Sequence, residues 1–163
     1  MSHAEQKAFY DKHFPVISSK CARMLGDAEA AADVAQETFV RLIQSPVAHE
    51  GPAVRARWIY VTATRLAIDL VRRRGLGIEV RGDSFDAPAG RAAEAEGRTV
   101  ARQLLERVGD RLSAEELEIL VMSRCDRMTQ EEIAEVLAVS SRQVRRVLGR
   151  VERRLATLRE GLV

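Results

Sequence analysis

Residues 129–151, TQEEIAEVLAVSSRQVRRVLGRV, decide the fold of the C-terminal part of the chain. A short amphipathic segment, TQEEIAEVL, is separated by only residues 138–140 from a longer helical segment that begins near Ser141. Val144, Val147 and Val151 recur at helical spacing in the longer segment and predict a buried stripe along it. Two helices joined by so short a turn form a helix-turn-helix, so the sequence predicts this motif here.

The helix starts in this half of the chain share one local signal, a Ser or Thr followed three residues later by Glu or Gln. In such a capping box the hydroxyl accepts a hydrogen bond from a first-turn N–H, and the Glu or Gln side chain bonds back to the N–H of the cap residue. The three boxes are Ser113 with Glu116, Thr129 with Glu132, and Ser140 with Gln143. Because each box precedes an apolar helical stripe, we expect a helix to begin at each of them.

Three helices are predicted in the first 75 residues. Pro15 marks a break or kink in the first helix, since proline removes a backbone hydrogen bond. Gly26 can end this helix and Asp27 can cap the next one. A third helix is predicted from about residue 54 to residue 74. Its buried stripe is predicted to contain Ile59, Ala63, Leu66 and Leu70.

The segment between the two helical parts has a different character. Residues 76–99 show neither helical nor strand periodicity, which indicates a flexible linker. No alternating apolar and polar run of strand length occurs elsewhere in the chain. We therefore predict an all-α protein of two small helical domains, 1–75 and 100–163, joined by this linker.

Charge is distributed unevenly along a chain whose 26 basic and 24 acidic residues leave a formal net charge of only +2. Residues 55–74 carry six Arg and one Asp, a local charge of +5. Residues 113–135 carry seven acidic and two basic residues, a local charge of −5, and residues 140–159 carry seven Arg and one Glu, a local charge of +6. A basic helix after a tight turn is typical of major-groove binding. The alternative is a solvated Arg-rich face on a bundle or coiled-coil helix.

The helix over residues 54–74 combines positive charge with aromatic rings. Unpaired bases stack on rings that lie beside positive charge, so this helix is a candidate for binding single-stranded nucleic acid. We expect Trp58 to pack in the core and Tyr60 to be exposed. The three Arg at 72–74 also suit the negative end of the helix dipole, so a capping role remains open. The side opposite the buried stripe is predicted to carry Arg57, Val61, Thr64, Arg65, Ile68 and Arg72.

A second candidate surface lies on the helix that contains DVAQETFVRL. The positions that helical spacing predicts to face largely outward are Asp33, Gln36, Glu37, Val40 and Gln44. Such a face is either solvated or binds a partner. Although Asp33 and Glu37 are paired carboxylates, no His joins them at metal-ligand spacing. We therefore expect no metal and no cofactor.

The composition also excludes several protein classes. No apolar run approaches the roughly 18 residues that span a membrane, and the N-terminus lacks the apolar core of a signal peptide. We therefore expect a cytoplasmic protein without membrane insertion. Cys21 and Cys125 lie far apart in the sequence, outside any CxxC or Cys/His spacing, which argues against a disulfide framework and a zinc site. Both are predicted to be core residues.

Three segments together resemble a known protein family. They are DVAQETFVRL at 33–42, ARWIYVTATRLAIDLVRRR at 56–74, and LSAEELEILVMSRCDRMTQEEIAEVLAVSSRQVRRVLGRVERRL at 112–155. In this order, with a variable linker between them, they resemble regions two and four of extracytoplasmic-function (ECF) sigma factors of the sigma-70 superfamily. The resemblance covers nearly the whole chain outside the linker. It implies a bacterial transcription-initiation factor, not an enzyme, that binds core RNA polymerase and directs it to promoter DNA.

The resemblance also implies a role for each surface. The polymerase-binding residues, which would dock on clamp helices of the largest catalytic subunit, would be Asp33, Gln36, Glu37 and Arg41. The residues that recognise the −10 element and hold its melted strand would be Arg57, Tyr60, Thr64, Arg65, Arg72 and Arg73. The residues that read the −35 element in duplex DNA would be Ser141, Arg142, Gln143, Arg145, Arg146 and Arg150. The linker would thread through polymerase, and an anti-sigma factor would be a further partner.

The sequence departs from the family pattern at several positions. Arg65 stands where many relatives have Asn, and Val61 and Thr64 replace common Arg positions. Recognition of a −10 base in a pocket is therefore not transferred to this chain. Ala138 stands at the usual turn glycine, where we expect a modest backbone adjustment.

Two other functional classes fit parts of the sequence. One is a stand-alone helix-turn-helix regulator that binds a palindromic duplex site without polymerase. It leaves the DVAQETF segment and the basic Trp/Tyr helix unexplained. The other is an enzyme that uses Asp33, Glu37 or His49. No nucleophile–base set, Gly-rich phosphate loop or metal-ligand spacing supports an enzyme.

Overall fold

The computed structural model describes residues 1–75 and 105–160, which form two helical modules. The N-terminal module contains α1 (His3–Leu25), α2 (Ala28–Gln44), a 3-10 turn (Pro46–His49) and α3 (Pro52–Gly75). The C-terminal module contains a helical turn at 105–108, then α4 (Ala114–Arg124), α5 (Gln130–Leu137) and α6 (Ser141–Glu160). Neither described range contains a strand, so the all-α prediction is confirmed. The predicted linker, 76–99, lies outside the described residues.

The boundary between α1 and α2 follows its local sequence. Gly26 adopts a left-handed conformation with φ 67°, and its N–H donates to the Ala22 carbonyl, which ends α1. The Asp27 side chain accepts hydrogen bonds from the N–H groups of Glu29 and Ala30 and so caps α2. Both predictions made for Gly26 and Asp27 are confirmed.

Of the break or kink predicted at Pro15, a break does not occur, because α1 continues through this residue. Proline removes one helical hydrogen bond, but the helix is held by the burial of its apolar face. Ile17, Cys21 and Met24 follow Pro15 on that face and are almost fully buried. They pack in the core that α1 forms with α2 and α3.

The capping boxes begin the C-terminal helices. Both reciprocal hydrogen bonds are present at Ser113 and at Thr129. At Ser140 the hydroxyl accepts from the Gln143 N–H at 3.1 Å, but the Gln143 side chain donates to Glu115 instead of back to Ser140. The third capping box therefore forms only one of its two hydrogen bonds, the one that the Ser140 hydroxyl accepts.

The turn between α5 and α6 spans residues 138–140, as the helix-turn-helix pattern predicts. Ala138 takes the left-handed conformation that ends α5, with φ 56°. The backbone adjustment expected at the usual glycine position is therefore this left-handed conformation, which is strained for a residue that has a Cβ.

A buried carboxylate fixes α6 against α4. Glu116 is 1% exposed, and its side chain accepts from the Ser113 N–H at 2.9 Å. The same carboxylate pairs with two arginines of α6, Arg154 at 3.0 Å and Arg150 at 3.7 Å. A buried carboxylate is stable when it is paired and hydrogen-bonded in this way.

The two modules contact each other. Helix α3 packs against α1 and α2 on one side and against α4 and α5 on another. Within the described ranges, no helix is both long enough and apolar enough to cross a membrane.

Candidate nucleic-acid interface

The first turns of α6 present an exposed basic face. Arg142, Arg145 and Arg146 are exposed, whereas Val144 and Val147 on the opposite side are buried. The Arg145 Nε donates to the Gln130 side chain at 3.4 Å, which links the two helices of the motif. The buried valines hold α6 in the module while the arginines face solvent.

The other three predicted residues of this helix are less accessible. Ser141 and Gln143 are half-buried, and the Gln143 amide donates to Glu115 at 3.3 Å. Arg150 lies on the side of α6 that faces Glu116. The structure therefore separates three solvent-facing arginines from three residues that contact the module or are partly covered by it.

The predicted polymerase-binding residues lie together on the outer face of α2. Asp33, Gln36, Glu37 and Arg41 are all exposed. The Arg41 Nε donates to Glu37 Oε1 at 2.7 Å, and the two residues, one helical turn apart, form a salt bridge. Because both side chains are half exposed, this pair contributes only a few tenths of a kcal/mol to folding.

Two large apolar side chains extend this surface. Val40 is 42% exposed and Ile43 is 56% exposed. Val40 was assigned to the outward face by its spacing, but Ile43 was missed. Its signal in the sequence is an isoleucine next to the outward positions, between Val40 and Gln44.

The exposure predicted for α3 is correct only in part. Arg57, Arg65 and Arg72 are exposed, but Thr64 and Ile68, predicted on the same side, are 0% and 2% exposed. The prediction is wrong for these two residues because α3 has neighbours from both modules. The Thr64 hydroxyl donates to the Tyr60 carbonyl at 2.8 Å.

The last turns of α3 are solvent-exposed. Arg72, Arg73 and Arg74 are all exposed there. Arg73 pairs with Asp69 at 2.8 Å, and Arg74 lies 3.5 Å from the capping residue Asp27. Two of the three arginines therefore have acidic partners inside the N-terminal module.

Of the two aromatic residues of α3, Tyr60 differs from expectation. Trp58 and Tyr60 are both half-buried and pack against the core. The predicted exposure of Tyr60 is wrong, because its hydroxyl donates to Asp126 of the C-terminal module. Burial and the hydrogen bond to Asp126 raise the pKa of Tyr60, so its hydroxyl keeps its proton.

Lys20 lies beside Tyr60 and Asp126, a position that was not predicted from the sequence. Its Nζ lies 2.5 Å from Asp126 Oδ2 and 4.4 Å from the centroid of the Tyr60 ring. Lys20 is 3% exposed, and burial lowers its pKa although Asp126 opposes the shift. A signal was present in the sequence, since a lysine at this place interrupts the apolar face of α1 between Ile17 and Met24.

The two cysteines lie close to this cluster in sequence, next to Lys20 and Asp126. Cys21 is fully buried, as predicted, and burial raises the pKa of its thiol to about 11. Cys125 is only half-buried, and burial raises its pKa as well. Both thiols are therefore protonated near neutral pH. No group of three potential metal ligands occurs among the described residues.

A second contact between the modules joins α3 to α4. The Arg65 Nε donates to Glu118 Oε1 at 2.8 Å. Nearer the start of α3, the Arg57 Nη1 donates to the Glu135 carbonyl of α5 at 3.5 Å. Three of the predicted −10 residues, Arg57, Tyr60 and Arg65, therefore bond to the C-terminal module.

The described geometry agrees with comparisons to known families. Residues 9–76 match the family model "Sigma-70 region 2", and residues 102–155 match "Sigma-70, region 4". The two matches occur in this order along the chain. The chain belongs to the ECF group of the sigma-70 family.

Individual relatives carry the same description. The ferric citrate uptake sigma factor FecI of Escherichia coli is 29% identical over 88% of this chain and 84% of its own length. The ECF RNA polymerase sigma factor SigL of Mycobacterium tuberculosis is 39% identical over 40% of this chain and 38% of its own. The sigma factor SigW of Bacillus subtilis is 36% identical over 36% of this chain and 31% of its own.

Membership assigns the function of this sigma factor at the level of the family. It directs promoter-specific transcription, and it is not an enzyme. Its partners are core RNA polymerase and promoter DNA. A stand-alone helix-turn-helix regulator is less well supported, because region 2 accounts for the N-terminal module that this alternative left unexplained.

Proposed function

We propose that α6 of this sigma factor reads the −35 element in the major groove through Arg142, Arg145 and Arg146. The observation that supports this most directly is their exposure on the first turns of the second helix of a helix-turn-helix. In this motif the N-terminal residues of the second helix contact base edges. A guanidinium group makes two parallel hydrogen bonds to guanine, so exposed arginines suit that role.

The partly covered residues of α6 have a different role in this proposal. Ser141 and Gln143 lie beside the helix N-terminus, where backbone N–H groups attract phosphate. Arg150 pairs with Glu116 at 3.7 Å and is 43% exposed, so it can reach a phosphate while it stays attached to the module. These residues orient the module on DNA, while the three exposed arginines read its sequence.

The outer face of α2 docks on the clamp helices of the largest catalytic subunit of polymerase. Asp33, Gln36, Glu37 and Arg41 supply its polar contacts, and Val40 with Ile43 supplies apolar area beside them. Exposed apolar side chains surrounded by polar ones are typical of a protein-binding surface. An anti-sigma factor that binds this face would keep the sigma factor from polymerase. The whole process takes place in the cytoplasm.

Helix α3 recognises the −10 element and holds its melted strand. Arg57, Arg65, Arg72 and Arg73 supply positive charge for the backbone, and Tyr60 supplies a ring for base stacking. Thr64 is buried in this structure, so it can contact DNA only after residues that pack over it move away. Residues 1–75 then act as region 2, residues 76–99 as the linker, and residues 100–163 as region 4.

Transcription with purified components tests this proposal. Core polymerase, with and without the full-length protein, transcribes a library of genomic fragments, and the transcript starts are sequenced. We expect starts that depend on the protein and share two upstream elements at a fixed spacing. Failure to bind polymerase, together with binding to a palindromic duplex, would instead support the stand-alone regulator.

A further inference from the structure

The three exposed arginines on the first turns of α6 differ in their surroundings. Arg145 donates from its Nε to the side-chain oxygen of Gln130, the first residue of α5, at 3.4 Å. Within the described ranges, Arg142 and Arg146 form no side-chain hydrogen bond or ion pair. Arg145 is therefore the arginine of the three whose side chain is held by the protein before DNA binds.

The residue that holds Arg145 has a well-defined backbone position. Gln130 directly follows Thr129, the cap of α5, and is half-buried. The Thr129 N–H donates to the Glu132 side chain at 2.7 Å, and the Glu132 N–H donates to the Thr129 hydroxyl at 3.2 Å. Because both bonds close the first turn of α5 around Gln130, its amide extends from a fixed base toward α6.

Hydrogen-bonding chemistry fixes how the two side chains face each other. A guanidinium group only donates, so Gln130 presents its Oε1 to Arg145 and directs its NH₂ group elsewhere. The bond uses the Nε of Arg145 and leaves Nη1 and Nη2 with their N–H groups. Arginine reads guanine through two parallel N–H donors, to O6 and N7. The contact with Gln130 is therefore compatible with base reading by the end of the same guanidinium.

A contact formed in advance lowers the cost of recognition. Arginine has many rotamers, and ordering it on binding costs conformational entropy. That cost is smaller when the protein already holds the side chain in a suitable orientation. Recognition of one base over another depends on this orientation, whereas a contact with a phosphate tolerates several.

We propose that Gln130 is a positioning residue that presents Arg145 to one base pair of the −35 element. This inference rests on the proposed role of α6 and names the arginine whose orientation is set in advance. Arg142 and Arg146 become ordered only on DNA. Because the first helix of a helix-turn-helix crosses the DNA backbone, the NH₂ group of Gln130 donates to a phosphate in the same complex. Gln130 thereby couples a backbone contact to a base contact.

The test uses the polymerase holoenzyme formed with full-length protein. The DNA probes are a promoter fragment recovered in the transcription experiment and variants with each other base pair at every position of its −35 element. Competition binding gives the discrimination at each position, which is the ratio of affinities for the original and the substituted promoter. Gln130→Met keeps the length of the side chain but removes its acceptor oxygen. The matched control is Gln6→Met, at a half-buried glutamine near the start of α1.

We expect Gln130→Met to lower discrimination at one base pair by about three- to tenfold, the effect of one net hydrogen bond, and to leave the other positions unchanged. Gln130→Glu retains an acceptor for Arg145 and should preserve discrimination at that base pair. Its negative charge beside the phosphates should weaken binding to all the promoters alike. A merely structural role of Gln130 would affect every position to the same extent. Chemical denaturation checks stability, and Gln130→Ala, which also lacks the acceptor, replaces Gln130→Met if that variant is destabilised.

A double-mutant cycle assigns the effect to Arg145. Gln130→Met should cause no further loss of discrimination in Arg145→Ala, but the full loss in Arg146→Ala, which retains the contact. An equal loss in both backgrounds would overturn the proposal. So would discrimination by Gln130→Met equal to that of Gln6→Met at every position.

The two levels of failure give different results. If Arg145→Ala loses discrimination at one base pair while Gln130→Met does not, only the positioning role is removed and the proposed reading of the −35 element stands. If Arg145→Ala keeps full discrimination at every base pair, Arg145 is removed from base reading, and the role of Gln130 is overturned with it.

Discussion

Arg65 of α3 and Glu118 of α4 form an ion pair in which the two partners have unequal access to solvent. The Nε–Oε1 distance is 2.8 Å, yet the Arg65 side chain is 63% exposed and that of Glu118 only 6%. Burial raises the pKa of Glu118, and Arg65 opposes this shift without cancelling it. Ionised Glu118 is therefore tolerated at this interface because Arg65 is there.

Removal of Arg65 should make the stability of the contact between the two modules depend on pH. In Arg65→Met the pKa of Glu118, in the folded state with the two modules in contact, rises further above its ordinary value. A raised pKa means that the folded state with the two modules in contact binds the proton more tightly than states in which Glu118 is solvated. The stability of this folded state is then highest at low pH and falls as the pH rises through the pKa of Glu118. We expect the Tm deficit of Arg65→Met relative to wild type to be larger at pH 8 than at pH 5.

The control for this prediction removes the carboxylate as well. Arg65→Met with Glu118→Gln has no ionisable group at either position, so its Tm deficit relative to wild type should not grow between pH 5 and pH 8. A pH-independent deficit in the single variant would show that Glu118 does not titrate in response to Arg65.

Ala138→Gly should stabilise the C-terminal module. Ala138 is exposed and has φ 56°, a conformation that costs a non-glycine residue about 1 kcal/mol. Glycine removes this strain, so we expect the free energy of unfolding to rise by up to about 1 kcal/mol. Chemical denaturation of the two proteins measures it. Ala156→Gly, an exposed substitution inside α6, should change the stability in the opposite direction by a similar amount.

Glu37→Lys should impair polymerase binding without unfolding the protein. The substitution reverses a charge in the centre of the exposed α2 face and breaks only a half-exposed pair with Arg41. We expect the affinity for core polymerase to fall by about tenfold or more, since like charges across an interface repel. Competition binding against labelled wild-type protein measures the change.

The matched control is Asp11→Lys on α1. Asp11 is also exposed and also pairs with a basic residue one turn away, Lys7, at 2.6 Å. Its reversal should leave polymerase binding within about twofold of wild type. Undiminished binding by Glu37→Lys would indicate that this face of α2 is only solvated.

Arg146→Ala and Arg145→Ala should weaken promoter binding by the polymerase holoenzyme. If an arginine contacts a base edge, its loss costs about 1–3 kcal/mol and relaxes specificity at one position of the −35 element. If it contacts a phosphate, its loss lowers the slope of log affinity against log salt concentration by about one. Titrations at several salt concentrations with wild-type and mutated promoters separate the two cases.

Arg153→Ala provides the reference for charge alone, because Arg153 is exposed farther along α6. We expect a small effect that does not depend on the −35 sequence. Equal affinities of the Arg145 and Arg146 variants and wild type, at every salt concentration and on every promoter, would remove both residues from the interface.

Much of the fold could be predicted from the sequence because its signals are local. A capping box spans four residues, and Gly26 with Asp27 ends one helix and begins the next through bonds to near neighbours. The buried valines of α6 follow from helical spacing alone. Pro15 does not break α1, because the local loss of one hydrogen bond is outweighed by packing that the sequence does not display.

The candidate surfaces divide in the same way. The outer face of α2 and the arginines on the first turns of α6 are exposed where helical spacing placed them, because nothing packs over these faces. On α3 the spacing was not sufficient. Thr64 is buried and Tyr60 is half-buried, since the side of α3 that the pattern left free has a second neighbour.

The sequence by itself determined the helices, the helix-turn-helix, the order of the two regions and the family, because all of these depend on residues close together in the chain. Only the tertiary structure decided which basic and aromatic side chains of α1 and α3 contact the C-terminal module. Arg65 and Glu118 are 53 residues apart in sequence, and Lys20 and Asp126 are 106 apart. Local patterns give each segment its charge, but the contact between opposite charges depends on how the two modules pack.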